Sequence, residues 1–151
     1  MTRRALLLIA CGLTAALLTG CGGGTILRGK VVSGPQSMVM VVPGDDPRLA
    51  GPGIDGVTVA LTLDPRSLGR KPLGDGVSYG DGTFAIPINE FGAGLLEYEI
   101  GVLARIEGRE HAEGFFKLPP GGQRVLIVMA KGADTYREFE DPRSEIKRYG
   151  Y

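Results

Sequence analysis

The chain is 151 residues long, with 17 Lys and Arg against 17 Asp and Glu, one histidine, two cysteines and no tryptophan. That length suits one domain with a core of its own, and the balanced charge excludes the strongly basic footprint of a nucleic-acid binder. No run of basic residues with interleaved aromatics occurs in the sequence, and two cysteines are too few for a disulfide scaffold.

The first predicted element covers residues 1–20. Met1-Thr-Arg-Arg4 precedes an apolar run of 14 residues, Ala5 to Leu18, shorter than the roughly 20 residues a membrane-spanning helix needs. A basic start, a short apolar centre and small residues at its end predict a cleaved secretory signal. Thr2-Arg3-Arg4 is a poor match to a twin-arginine signal at its flanks, so general secretion fits better. Leu18-Thr19-Gly20-Cys21 resembles the lipobox of bacterial lipoproteins. The resemblance implies cleavage before Cys21, lipid attachment on its thiol, and a location on the inner or outer membrane of the cell envelope, facing the periplasm or the exterior.

Cleavage leaves 131 residues carrying 15 basic and 17 acidic side chains. Cys11 departs with the signal and Cys21 carries lipid, so no thiol remains for a disulfide or a thiolate metal site. Residues 21–25, with Gly22-Gly23-Gly24, form a tether. From Cys21 to Ile26 the chain reaches at most about 18 Å at ~3.3–3.6 Å per residue, which holds the following domain, residues 26–133, close to the bilayer.

Within that domain the hydrophobic period is two. Ile26–Val32 and Ser37–Val42 are strand candidates separated by Gly34-Pro35. Val57, Val59, Leu61 and Leu63 share one face of the next strand, with Thr58, Ala60 and Thr62 opposite. Phe84, Ile86 and Ile88 form another set, and Pro87 between them marks an edge strand or bulge. Leu96, Tyr98, Ile100, Val102, Ala104 and Ile106 follow on one face, and Val125–Met129, apolar on both faces, reads as a central strand. Glycine-rich breaks are predicted at Gly51-Pro-Gly53, Gly74-Asp-Gly76, Gly80-Asp-Gly82, Gly92-Ala-Gly94 and Pro119-Pro-Gly-Gly122. Six to eight strands with such turns predict an all-β sandwich. Residues 134–151, charge-mixed and spotted with aromatics, are expected as a flexible or loosely docked tail, with partner recruitment as a lesser possibility.

Gly29-Lys-Val-Val32, Pro52-Gly-Ile-Asp-Gly-Val-Thr-Val-Ala-Leu61 and Val77-Ser-Tyr-Gly-Asp-Gly-Thr-Phe84 occur in that order, before the long strand ending at Ile106. The series resembles the carboxypeptidase regulatory-like domains over about residues 27–132. The resemblance implies a seven-stranded sandwich of the transthyretin (prealbumin-like) type. Asp81-Gly82-Thr83-Phe84 is a compressed form of the family's Asp-x-x-Gly-x-Phe hairpin, and residues 33–55 depart from its compact pattern.

Little in the sequence points to chemistry. His111 shares a face with Glu113, Phe115 and Lys117 and is expected at the surface. A catalytic triad would need Ser33, Ser37, Ser67 or Ser78 beside it, and no Gly-x-Ser-x-Gly elbow occurs. Transthyretin-like hydrolases of a purine-breakdown product use several histidines and a C-terminal Tyr-Arg-Gly-Ser, whereas this chain ends Lys147-Arg-Tyr-Gly-Tyr151. A His-Glu-x-x-His zinc helix is absent too. Asp75 and Asp81 lack the spacing of a calcium loop and are expected in turns, as are the Asp-Pro-Arg triplets at Asp46, Asp64 and Asp141. Tyr79, Phe91, Tyr98, Phe115 and Phe116 are expected in packing roles. The sequence therefore predicts no catalytic, metal or cofactor residues and no nucleic-acid partner. It predicts a lipid-anchored, non-catalytic module with an envelope protein as partner. A binder of envelope glycan or peptide is the alternative, and a hydrolase comes third.

Overall fold

A computed structural model of the chain describes residues 25–88, 99–119 and 121–136. The signal, Cys21 and the tether glycines, Phe91, Gly92-Ala-Gly94, Leu96, Tyr98, Pro120 and the tail from residue 137 lie outside them. Eight strands form: β1 (Thr25–Ser33), β2 (Met38–Pro43), β3 (Thr58–Leu63), β4 (Lys71–Val77), β5 (Thr83–Ile88), β6 (Glu99–Arg105), β7 (Ala112–Lys117) and β8 (Gln123–Met129), with one 3₁₀ turn at Pro47–Leu49. They make two four-stranded sheets, sheet A in the order β2-β8-β1-β5 and sheet B in the order β4-β3-β6-β7. Every pairing is antiparallel except β1 with β8, which run parallel with Gly29 opposite Val125. No described helix is long and apolar enough to cross a membrane.

The period-two pattern places the core between the sheets. Leu27 and Val31 of β1, Phe84, Ile86 and Ile88 of β5, and Val125, Ile127 and Met129 of β8 face Val57, Val59, Leu61, Ile100, Val102 and Ala104 from the other side, all nearly sealed from solvent. Gly29 belongs to this inner face. A Cβ there would fall on the Val125 carbonyl oxygen and the Phe84 ring, so the missing side chain is what lets the parallel strand and the aromatic close over β1. Pro87 sits on β5 at the margin of sheet A, where its lack of an N–H costs no ladder bond.

Two features differ from the expectation. Gly74-Asp-Gly76 is not a break but part of β4. The ladder shifts register between Leu61 and Thr62, and Gly74, at φ 153°, absorbs that bulge. Gly76 lies beneath the Ile86 side chain, 2.9 Å from where its Cβ would stand, so the glycines that suggest a turn serve instead to bring β4 close to β5. The number of strands is eight, one more than the resemblance implies. Among the eight is β2, predicted as the strand Ser37–Val42, whose apolar run pairs with the otherwise open margin of β8.

The connection after β2, residues 44–57, folds back so that Leu49 lies over the outer face of sheet A while Ile54 and Val57 return to the main core. Leu49 packs with Met40 and Val128 on Val32, Val42 and Leu126, forming a second, smaller apolar cluster. Ser78 fixes the far end of this connection. It is buried, its hydroxyl accepts from Val57 N at 2.9 Å and donates to the Ile54 carbonyl at 2.7 Å.

Candidate functional site

Strand alternation turns Arg28, Lys30 and Val32 of β1 outward from the main core, beside Arg124 and Leu126 of β8. Because β1 and β8 are parallel with Gly29 opposite Val125, Arg28 and Arg124 stand at one level on adjacent strands, spaced ~4.7–4.9 Å apart. Lys30 follows two residues along the same face, about 6.6 Å from Arg28 by strand rise. With Gly44, Leu49, Tyr79 and Thr83, these three cations line an open cleft of about 390 Å³.

Lys30 is only 6% exposed, because Leu49 and its 3₁₀ turn lie over it. Burying an ammonium costs several kcal/mol unless its donors are met. Lys30 Nζ donates to the Leu49 carbonyl at 2.9 Å, one of the three bonds an ammonium can make. Arg124 donates, among the described residues, only to the neighbouring Gln123 carbonyl, at 2.8 Å. Among the described residues Arg28 is exposed and has no hydrogen bond or ion pair. None of the three meets a carboxylate at ion-pair distance within the described residues. Asp81, the nearest acid to affect the site, spends one oxygen in its own turn, accepting from the Thr83 hydroxyl at 2.6 Å and the Thr83 N–H at 2.9 Å. Those two bonds, with a smaller contribution from the Lys30 charge, hold its carboxyl below the ordinary value of 3.8.

Nothing in the sequence marks this cleft as a patch, and no linear run of cations would have found it. The one local signal is Arg28-Gly29-Lys30, which places two cations on the same side of an otherwise apolar strand. Arg124 joins them only through sheet pairing. Two aromatics also depart from their expected packing role. Tyr79 is 63% exposed because it opens the Asp81-Gly82 turn, where its backbone is tied to Thr83 and Gly82. Phe115 is 45% exposed because it lies on the outward face of β7, while its neighbour Phe116 packs against the core.

His111 belongs to a different cluster at the end of sheet B. Its ring meets Tyr136 edge-on at 5.3 Å, and Nδ1 lies 3.5 Å from Asp134 Oδ1 without a hydrogen bond. Asp134 accepts from the Tyr136 N–H at 2.9 Å and from Arg105 Nε at 2.6 Å, bonds that hold its carboxyl below 3.8. The cluster resembles the orienting half of a catalytic dyad, but among the described residues none of the four candidate serines bonds to His111. Ser33 accepts from Arg109, Ser37 donates to the Glu110 carbonyl, Ser67 accepts from Gly69 N–H, and Ser78 rivets Ile54 to Val57. What the cluster does is fasten the chain beyond β8. Residues 134–136 are docked on Arg105 and His111.

Asp46 and Asp81 serve their turns as expected. Asp46 caps the 3₁₀ turn through Arg48 N–H and pairs with the Arg48 guanidinium at 2.7 Å, which lowers its carboxyl to about 2. Asp64 adopts φ 44° where β3 turns back through Pro65, and Asp141 lies outside the described residues. No group of three His, Cys, Asp or Glu is placed to hold a metal ion among the described residues. Comparison with known protein families, with curated proteins and with solved structures finds no match for this chain.

Proposed function

We propose that this chain is a lipid-anchored, non-catalytic β-sandwich at a bacterial cell envelope, held to the membrane through acyl chains on Cys21 and acting as a structural or protein-interaction module. The observation that carries the reading is the position of β1. It starts at Thr25, four residues after Cys21, so the first strand begins where the glycine tether ends and the domain can stand only a short distance from the lipid. That none of the four candidate serines is hydrogen-bonded to His111 among the described residues supports the non-catalytic part.

The carboxypeptidase regulatory-like, prealbumin-like assignment belongs to the same proposal. Its support is that setting aside the marginal strand β2 leaves seven strands, three in sheet A and four in sheet B. The alternative, a module for envelope glycan or peptide, draws support from the exposure of Tyr79 on the rim of the cleft. It predicts saturable retention of the protein on insoluble peptidoglycan, weakened by Tyr79→Ala.

Cys21→Ala tests the anchor. The expected result is a protein that leaves the membrane fraction or keeps its signal uncleaved. Processed Cys21→Ala protein that still partitions with membranes overturns the reading.

A further inference from the structure

We infer that the cleft on the outer face of sheet A is a binding site for a phosphate group, carried either by a soluble ligand or by a phospholipid headgroup. The inference goes beyond the anchoring role and does not require lipid on Cys21. It rests on three features of the cleft. Arg28, Lys30 and Arg124 converge from two adjacent strands on one concave surface. Their donors are largely unspent among the described residues, with Arg28 using none, Lys30 one and Arg124 one, each of the latter two on a backbone carbonyl. And Lys30 is buried beneath Leu49, where an anion at its ammonium would be screened far less than at an open surface.

The chemistry of the anion follows from the number and kind of donors. A carboxylate offers two oxygens in one plane, matched by a single guanidinium fork. Two arginines at one level and a lysine about 6.6 Å along the strand suit a tetrahedral phosphate, which offers three free oxygens as a monoester and two as a diester. Arg28 and Arg124, side by side, supply planar forks for two of them, while Lys30 supplies a point charge from the floor of the cleft. The Tyr79 ring and Leu49 wall the remainder and leave room for the group that bears the phosphate. The Asp81 carboxylate is tied to Thr83 and does not line the cleft.

The experiment uses the full chain purified in neutral detergent micelles and titrated by calorimetry with four probes: inorganic phosphate, dihexanoyl phosphatidylglycerol, dihexanoyl phosphatidylcholine and succinate. Saturable binding of phosphate and of the phosphatidylglycerol supports the site and shows that a soluble source suffices. Binding of the phosphatidylglycerol alone supports it with a headgroup as the source, and binding of phosphate alone supports it with the headgroup excluded. In each supporting case Arg28→Gln and Arg124→Gln each weaken the affinity about tenfold or more, the scale of a lost charge-assisted hydrogen bond. Arg70→Gln, in the β3–β4 connection away from the cleft, leaves it unchanged. Lys30→Met abolishes binding if it folds. Because Lys30 is buried, the two arginine variants, checked for an unchanged thermal melt, carry the test on their own. Absence of binding to both phosphate probes, succinate binding as tight as phosphate, phosphatidylcholine equal to phosphatidylglycerol where phosphate itself is silent, or affinities unmoved by Arg28→Gln and Arg124→Gln each overturn the inference.

Discussion

On the outer face of sheet B, Arg66 donates through Nε and Nη2 to the two oxygens of Glu99 and lies over the Phe115 ring at 5.8 Å. At the other end of β6, Arg105 donates to Asp134 and covers the Tyr136 ring at 5.4 Å. On the outer face of sheet A, Arg28, Lys30 and Arg124 meet backbone carbonyls or nothing among the described residues. The two faces come from the same alternating strand pattern, yet one closes its charges internally and the other leaves donors open. The difference is steric in origin. Sheet B is solvated, so its long side chains find one another across the surface. On sheet A the turn around Leu49 lies over Lys30 as a roof and buries it, while Arg28 and Arg124 stand in the open cleft beside it.

The comparison stands or falls first on whether that roof is packed. Ile127 and Leu126 are adjacent on β8, fully buried on opposite faces of it. Ile127→Ala opens the main core and is expected to cost about 3–5 kcal/mol, the upper part of the range for such truncations. Leu126→Ala opens the smaller cluster, which has more freedom to collapse, and is expected near the lower end, about 2–3 kcal/mol. Urea unfolding of both variants measures the pair. A Leu126→Ala cost under about 1 kcal/mol would mean that the roof is loosely laid and that Lys30 is wetter than its burial suggests.

Next in size is the rivet at the end of the roof. Ser78→Ala leaves the buried Val57 N–H without its side-chain acceptor and the Ile54 carbonyl without its donor, at an expected cost of about 1–3 kcal/mol. Hydrogen exchange should then rise around residues 54–57 more than in β6. Equal acceleration in both places would show that the connection does not open independently of sheet B.

The smallest effect belongs to the ion pairs of sheet B. The Asp134 and Glu99 carboxyls are held below their ordinary values, Asp134 by the Tyr136 N–H first and Arg105 second, Glu99 by Arg66. A carboxyl with a lowered folded value contributes its stability above the unfolded value and loses it as the pH falls through the folded one. Asp134→Asn should therefore be less stable than the parent at pH 5.5, with the gap narrowing as the pH drops below about 3.8. Urea midpoints at the two pH values measure it. A gap that stays constant or widens in acid would remove the ion pair from the account and leave the docking of residues 134–136 to the rings alone.

The arrangement of apolar positions was legible because burial in a sandwich reads the same alternation that the sequence displays. Val57, Val59, Leu61 and Leu63 lie inside as their spacing predicts, Pro87 sits on a sheet margin, and Val125–Met129 is flanked by a strand on each side. The glycines of β4 misled because glycine has two uses. It permits a turn, and it permits close approach of backbones, and only the neighbour across the gap, here Ile86, tells which. Tyr79 misled because it stands in a turn, outside any alternation, whereas Phe115 shares its face with Glu113 and Lys117 and is exposed with them.

By itself the sequence determined the all-β class, the strands that line the core and the inward set of side chains, since these follow from a period of two and from turn residues acting locally. It also contained the turns at Asp46 and Asp81, because each carboxylate accepts from the N–H two residues on. The tertiary structure alone decided which strands become neighbours, that β1 and β8 run parallel, and that the connection after β2 lies over sheet A. Those outcomes depend on packing between residues nearly a hundred positions apart. They are what gather Arg28, Lys30 and Arg124, unremarkable apart, into one cleft with donors to spare.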